Sequence, residues 1–178
     1  ESIDEEKLKK INYIEGLRTG KAHRADTMLV VLGMKPSTEL DFSTNNTNKE
    51  EIESALQNAG LSFTQKEFPE WRKNTDKMLR YAVAQNAETV NLLALVEASK
   101  DHREYGRLMG YPESAIDAFE KKTLLDKNEY PYTKDIIFNM KLSKENWEEE
   151  LELLKSWSEA IRKYSPETFK SLNKHRKR

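Results

Sequence analysis

Met78-Leu79-Arg80-Tyr81-Ala82-Val83-Ala84-Gln85-Asn86-Ala87-Glu88-Thr89-Val90-Asn91-Leu92-Leu93-Ala94-Leu95-Val96-Glu97 changes its period in the middle. Leu79, Tyr81 and Val83 alternate with their neighbours, the two-residue period of a strand. After Asn86, a residue suited to cap a helix, Val90, Leu93, Ala94 and Glu97 share one helical side, and Leu92, Leu95 and Val96 widen the apolar band. A helix apolar on most of its circumference is usually buried, so this one is read as central to the core. Upstream, Leu61, Phe63 and Gln65 begin another alternating run that reaches Phe68 and stops at Pro69. The two runs are expected to pair, with a loop containing Trp71 between them.

Helical signals surround this unit. Ser2-x-x-Glu5 and Thr47-x-x-Glu50 have the spacing of capping boxes. Leu8, Ile11 and Ile14 give the first helix its apolar face. Ala22, Ala25, Met28, Leu29 and Leu32 do so for a helix over 21–32, which Gly33 stops. Ile52, Ala55, Leu56 and Ala59 mark a third, ended by Gly60, and Leu40 with Phe42 permits a further short strand. Asp101 caps a short helix ending at Gly110, and Pro112 suits the first position of the next, read as running to about Leu125. Ile136, Ile137 and Phe138 are apolar but of undetermined type. Ser143 precedes a long helix striped by Trp147, Leu151, Leu154, Trp157 and Ile161. Acidic residues at its start favour the positive end of the helix dipole. The fold class is therefore α+β, a predominantly helical single domain over residues 1–178 with a small two- or three-stranded sheet. Residues 170–178 are read as a basic tail.

Composition narrows the function. Of 178 residues, 34% are charged, but 30 Lys plus Arg against 31 Asp plus Glu leave a net charge of −1. Nucleic-acid binding is driven by phosphate neutralisation and gains no support from that balance, so it is left to the tail alone. There is no cysteine, which removes thiol chemistry and Cys-ligated metals. The longest apolar run, Met28 to Leu32, is far short of the roughly 20 residues that span a bilayer. With an acidic, non-apolar start, the chain is expected in the cytoplasm with no membrane contact. Asn45-Asn46-Thr47 matches a glycosylation sequon but reads as a polar loop.

No cofactor or metal motif is present. His23, His102 and His175 lack zinc-site spacing, and Gly16-Leu17-Arg18-Thr19-Gly20-Lys21 lacks the glycine spacing and hydroxyl of a phosphate loop. The richest stretch is Asp101 to Phe119. It is a helix, a glycine turn and a proline-started helix, carrying His102, Arg103, Arg107 and Tyr111 as candidate binding residues. His102 would be the titratable group, and the two arginines would hold an anion. Gly110-Tyr111-Pro112-Glu113 followed by Ile116 and Phe119 resembles an uncharacterised prokaryotic family with a Gly-Tyr-Pro…Phe motif. Leu142 to Leu151 and Ser165-Pro166 extend the likeness over the C-terminal half. The paired cysteines of that pattern fall on Ser114 and Ala115 here, and the resemblance implies no activity. The sequence thus favours a non-enzymatic protein that binds a protein partner. The alternatives are a small-ligand protein or enzyme with its site at the 101–113 corner, and a weak nucleic-acid binder through the tail.

Overall fold

The three-stranded sheet is where the sequence's two periods meet. In the computed structural model, which describes residues 2–45, 47–66, 78–131 and 133–174, β1 (Ser37–Ser43), β2 (Ser62–Lys66) and β3 (Met78–Ala84) form an antiparallel sheet in the order β1-β3-β2. Leu40 lies opposite Tyr81, and Phe63 opposite Val83. Alternation then sends Leu40, Phe42, Tyr81 and Val83 to one face and Glu39, Asp41, Arg80 and Ala82 to the other. The expected pairing of the two alternating runs is present. Phe68, Pro69 and the Trp71 loop lie outside the described residues.

The first face carries the main core. Phe42 and Phe63 meet the ring of Tyr81 edge-on at 6.1 and 5.9 Å. Over them pack α1 (Glu5–Glu15), α2 (Lys21–Val31), α3 (Lys49–Asn58) and the later α7 (Trp147–Tyr164), through Ile11, Ile14, Met28, Leu29, Ile52, Leu56, Leu154 and Ile161. The Tyr81 hydroxyl donates to Glu53 at 3.2 Å. Burial, together with that carboxylate, pushes its pKa upward.

The second face is covered by α4 (Ala87–Ser99) and α5 (His102–Leu108), with Val90, Leu93, Val96 and Leu108 against Ala82 and Ala84. This corrects the expectation that α4 is central. Only Val90, Leu93 and Val96 of α4 are buried, whereas α2 buries Ala25 and the whole run Thr27 to Val31. The central helix is the one with neighbours on every side. α2 touches β1, β3, α1, α7 and α8 (Pro166–Lys174), while α4 packs against the sheet and α5 and leaves Leu92 and Leu95 exposed.

Several caps differ from the sequence reading by a residue or more. Asp4, not Ser2, accepts the Lys7 N–H at 3.1 Å, and Asn48, not Thr47, accepts the Glu51 N–H at 2.8 Å. An Asx side chain directly before the first helical residue reaches the N–H three positions on, and that geometry outcompetes the box. Asn86 and Asp101 cap α4 and α5 as expected. Pro112 precedes α6 (Glu113–Lys121), which stops at Lys122 and short of Leu125. Ser143 accepts the Asn146 N–H at 2.9 Å, one turn ahead of α7. Ile136, Ile137 and Phe138 are buried without regular structure. Residues 170–174 complete α8, which anchors itself through buried Thr168 and Phe169. Asn46, Tyr132 and residues 175–178, including His175, lie outside the described residues.

Candidate functional site

The corner exists as read, but its arginines are already used. Gly110 takes φ +82°, a left-handed conformation that L side chains resist, and so turns α5 into α6. Arg103 then reaches across the turn to Glu113 at 3.2 Å and to Asp117 and Glu120 at 2.6 Å each. Arg107 donates to Glu113 and to Glu104. Two guanidiniums thus face four carboxylates, and an incoming anion would meet net negative charge. His102 is exposed at the first position of α5 and has no hydrogen bond among the described residues. The anion site expected from His102, Arg103 and Arg107 is therefore not assembled. Sequence spacing placed the two arginines on one helix, but it could not show that α6 folds back with acids aimed at them.

The same pairing has a pH signature. The Arg107 hydrogen bond holds the Glu113 carboxyl below its usual value, and the Arg103 hydrogen bond does the same for Asp117. A carboxyl whose pKa is lower folded than unfolded stabilises above its unfolded value. That stabilisation is lost as pH falls through the folded value. The corner is therefore expected to loosen below about pH 4 while the core persists. Amide exchange in α5 and α6 followed from neutral pH into acid should show that selective rise. Uniform protection down to global unfolding would contradict it.

Tyr111, the fourth candidate, belongs to a different constellation. It stands at the rim of a cleft of about 360 Å³ walled by α2, by the turn after it, by the 137–140 segment and by α7. The cleft is lined by Lys35 and Asp26, with Ile137, Phe138, Met140 and Trp157 supplying apolar wall. Lys35 is 6% exposed. Its Nζ donates to Asp26 Oδ1 at 2.7 Å and lies 5.4 Å from the centre of the Trp157 ring, within cation–π range. Trp157 is fixed in turn by an edge-on contact with Phe138 at 5.7 Å. Gly110 makes this arrangement possible a second time. A Cβ there would lie 3.3 Å from Lys35 Cγ and 3.4 Å from Trp157 Cζ2. Burial, with Asp26 nearby, raises the Tyr111 pKa, so its phenol stays a hydrogen-bond donor.

Buried ammonium groups are normally satisfied or avoided. Lys35 has three N–H donors, and one is given to Asp26. The other two have no acceptor among the described residues, and neither does Asp26 Oδ2 receive a described donor. The cleft thus presents an unspent donor and an unspent acceptor side by side against an aromatic wall. The sequence signal was faint: Asp26 is the single acid of α2, just before its apolar run Met28 to Val31, and Lys35 sits between Met34 and Pro36 just past its glycine stop.

The other charged clusters are largely paired within themselves. On the second sheet face, Arg80 makes a two-pronged pair with Asp41 at 2.7 and 2.9 Å, and Lys66 bonds Glu39 at 3.1 Å and pairs with Glu97. Tyr105 packs beside them, its pKa pushed up to about 12 by burial and then by Glu39. A wider groove of about 450 Å³ between α2 and α8 contains Arg24 and Lys170. Arg24 Nη1 donates to the Glu15 and Leu17 carbonyls at the end of α1, while its buried Nε has no partner among the described residues, and Lys170 pairs with Glu167. Among the described residues, no three His, Asp or Glu side chains are placed to hold a metal, and no helix is long and apolar enough to cross a membrane. No family model matches the chain, and neither a curated protein nor a solved structure matches it.

Proposed function

We propose that this protein acts by binding, and that its ligand is a small molecule held in the Lys35–Asp26 cleft. The observation that carries the reading is a nine-tenths-buried lysine with two unspent donors lining an aromatic-walled cleft. A volume of about 360 Å³ falls at the lower end of ligand sites, which span roughly 300–1,000 Å³. Because the ammonium and the carboxylate are 2.7 Å apart, a ligand bearing one charge alone meets both an attraction and a repulsion. A group that accepts and donates on adjacent atoms, such as an amide, a urea or an amino-acid zwitterion, satisfies both. An apolar remainder would lie along Phe138, Met140 and Trp157. A protein partner that inserted one side chain would use the same chemistry, but the cleft's size favours the small molecule.

The test is a panel of hydrophobic amino acids and their N-acetyl amides, set against carboxylates and amines of matched shape. The Trp157 indole N–H resonance is the reporter. Amides and zwitterions should shift it with dissociation constants on the order of 0.1–1 mM, as suits ligands of about ten heavy atoms. Lys35→Met should abolish the shift, and Asp26→Asn should weaken it. Silence of the Trp157 and Tyr111 resonances up to the solubility limit of every compound would overturn the reading.

A further inference from the structure

α4 is apolar nearly all round, yet the sheet covers one side of it. Val90, Leu93 and Glu97 face inward, Glu97 to pair with Lys66. On the opposite side, at helical spacing, stand Glu88, Leu92, Leu95 and Ser99, followed by Lys100 at the left-handed C-cap. Leu92 is 43% exposed and Leu95 68%. These are two of the three residues, with buried Val96, that widen the apolar band in the sequence. The charged residues at the two ends of the helix, Glu88 in its first turn and Lys100 at its C-cap, are exposed and have no ion-pair partner among the described residues.

We infer that α4 is a self-association face, on which a second copy of this chain lays its own α4 antiparallel. A two-fold axis makes residue i of one copy face residue j of the other and residue j face residue i. With the axis between Leu92 and Leu95, each Leu92 opposes the partner copy's Leu95, and each Glu88 falls opposite the other copy's Ser99, one residue from its Lys100. The leucines therefore meet each other and the two helix ends are complementary in charge in this direction. A parallel arrangement would set Glu88 against Glu88 and Lys100 against Lys100. Antiparallel helix dipoles add to the preference. This charge pattern also argues against a membrane surface, since the stripe's N-terminal end is acidic and a single lysine ends it. The inference is independent of the cleft, none of whose lining residues belongs to α4.

One helix against its twin buries less than the roughly 1,200–2,000 Å² of a stable interface, so the dimer is a weak one, with a dissociation constant on the order of 0.1 mM. Sedimentation equilibrium from micromolar to millimolar protein should show the mass rising from 20.8 kDa toward twice that value. Leu95→Glu should weaken association roughly 100-fold, because the carboxylate enters the contact twice. Its side chain is mostly in solvent in the monomer, so an unchanged melting temperature is the folding control. Glu88→Lys and Lys100→Glu should each weaken the dimer roughly five-fold, and the double reversal should restore it. A monomer at every concentration overturns the inference, as does a dimer indifferent to Leu95→Glu or a double reversal that fails to recover. Binding of the monomer to anionic or neutral phospholipid vesicles, lost in Leu95→Glu, would overturn it in favour of a lipid surface.

Discussion

Glu150→Ala is expected to destabilise the fold by about 3–5 kcal/mol. Glu150 is 2% exposed on the first turn of α7. One carboxylate oxygen accepts from the Ser143 backbone N–H at 2.6 Å. The other accepts from the Ser143 hydroxyl at 2.7 Å and the Ser114 hydroxyl at 2.6 Å. Three segments are thereby tied to one group: the start of α6, the 142–144 bridge to Leu124, and α7 itself. Alanine would remove the acceptor and leave the buried Ser143 N–H and hydroxyl unsatisfied, each costing about 1–3 kcal/mol before relaxation, while the half-buried Ser114 hydroxyl loses its partner as well. In a chain of this size that is a fall of roughly 10 °C in melting temperature. Glu150→Gln should cost only about 1–2 kcal/mol, because serine hydroxyls can reverse their donation toward an amide. Urea denaturation of both variants checks this. A Glu150→Ala protein within 1 kcal/mol of the parent would show that water replaces the carboxylate freely.

The second large effect is an asymmetry. Asp26→Ala should destabilise by about 2–3 kcal/mol, while Lys35→Met should stay within about 1 kcal/mol of the parent and could exceed it. Both delete the same 2.7 Å ion pair. Removing the acid strands an ammonium that is 6% exposed, and breaking a buried pair in this way typically costs about 3–5 kcal/mol. The lower figure reflects the 29% exposure of the Asp26 side chain, which lets solvent share the cost. Methionine keeps the stem that packs against Gly110 and Trp157 and removes the charge that needed a partner. The double variant should recover most of what Asp26→Ala loses. Equal damage from the two single changes would mean that the pair itself, and not the stranded ammonium, sets the energy. Paired with the loss of ligand signal in Lys35→Met, this comparison separates a lysine kept for binding from one kept for stability.

What was legible in the sequence is what is local. The change from period two to helical period at Asn86 located β3 and α4, and Asn86, Asp101 and Gly110 marked real caps and a real turn, because each acts on N–H groups or dihedral angles within a few residues of itself. The α+β class followed from those signals alone. What only the tertiary structure decided depends on which surfaces meet. α4 is apolar nearly all round and α2 carries five polar residues in eleven, yet α2 is the enclosed helix and α4 keeps Leu92 and Leu95 in solvent, since periodicity reports how apolar a helix is and not how many neighbours it has. Arg103 and Arg107 looked like free cations because their acids lie beyond a turn. Lys35 and Asp26, nine residues apart and unremarkable in the chain, become a site when the loop after α2 folds the lysine back over Trp157, 122 residues further on (157 − 35). A charge's meaning is set by its desolvation and its partners, and both are properties of the packed molecule, not of the chain.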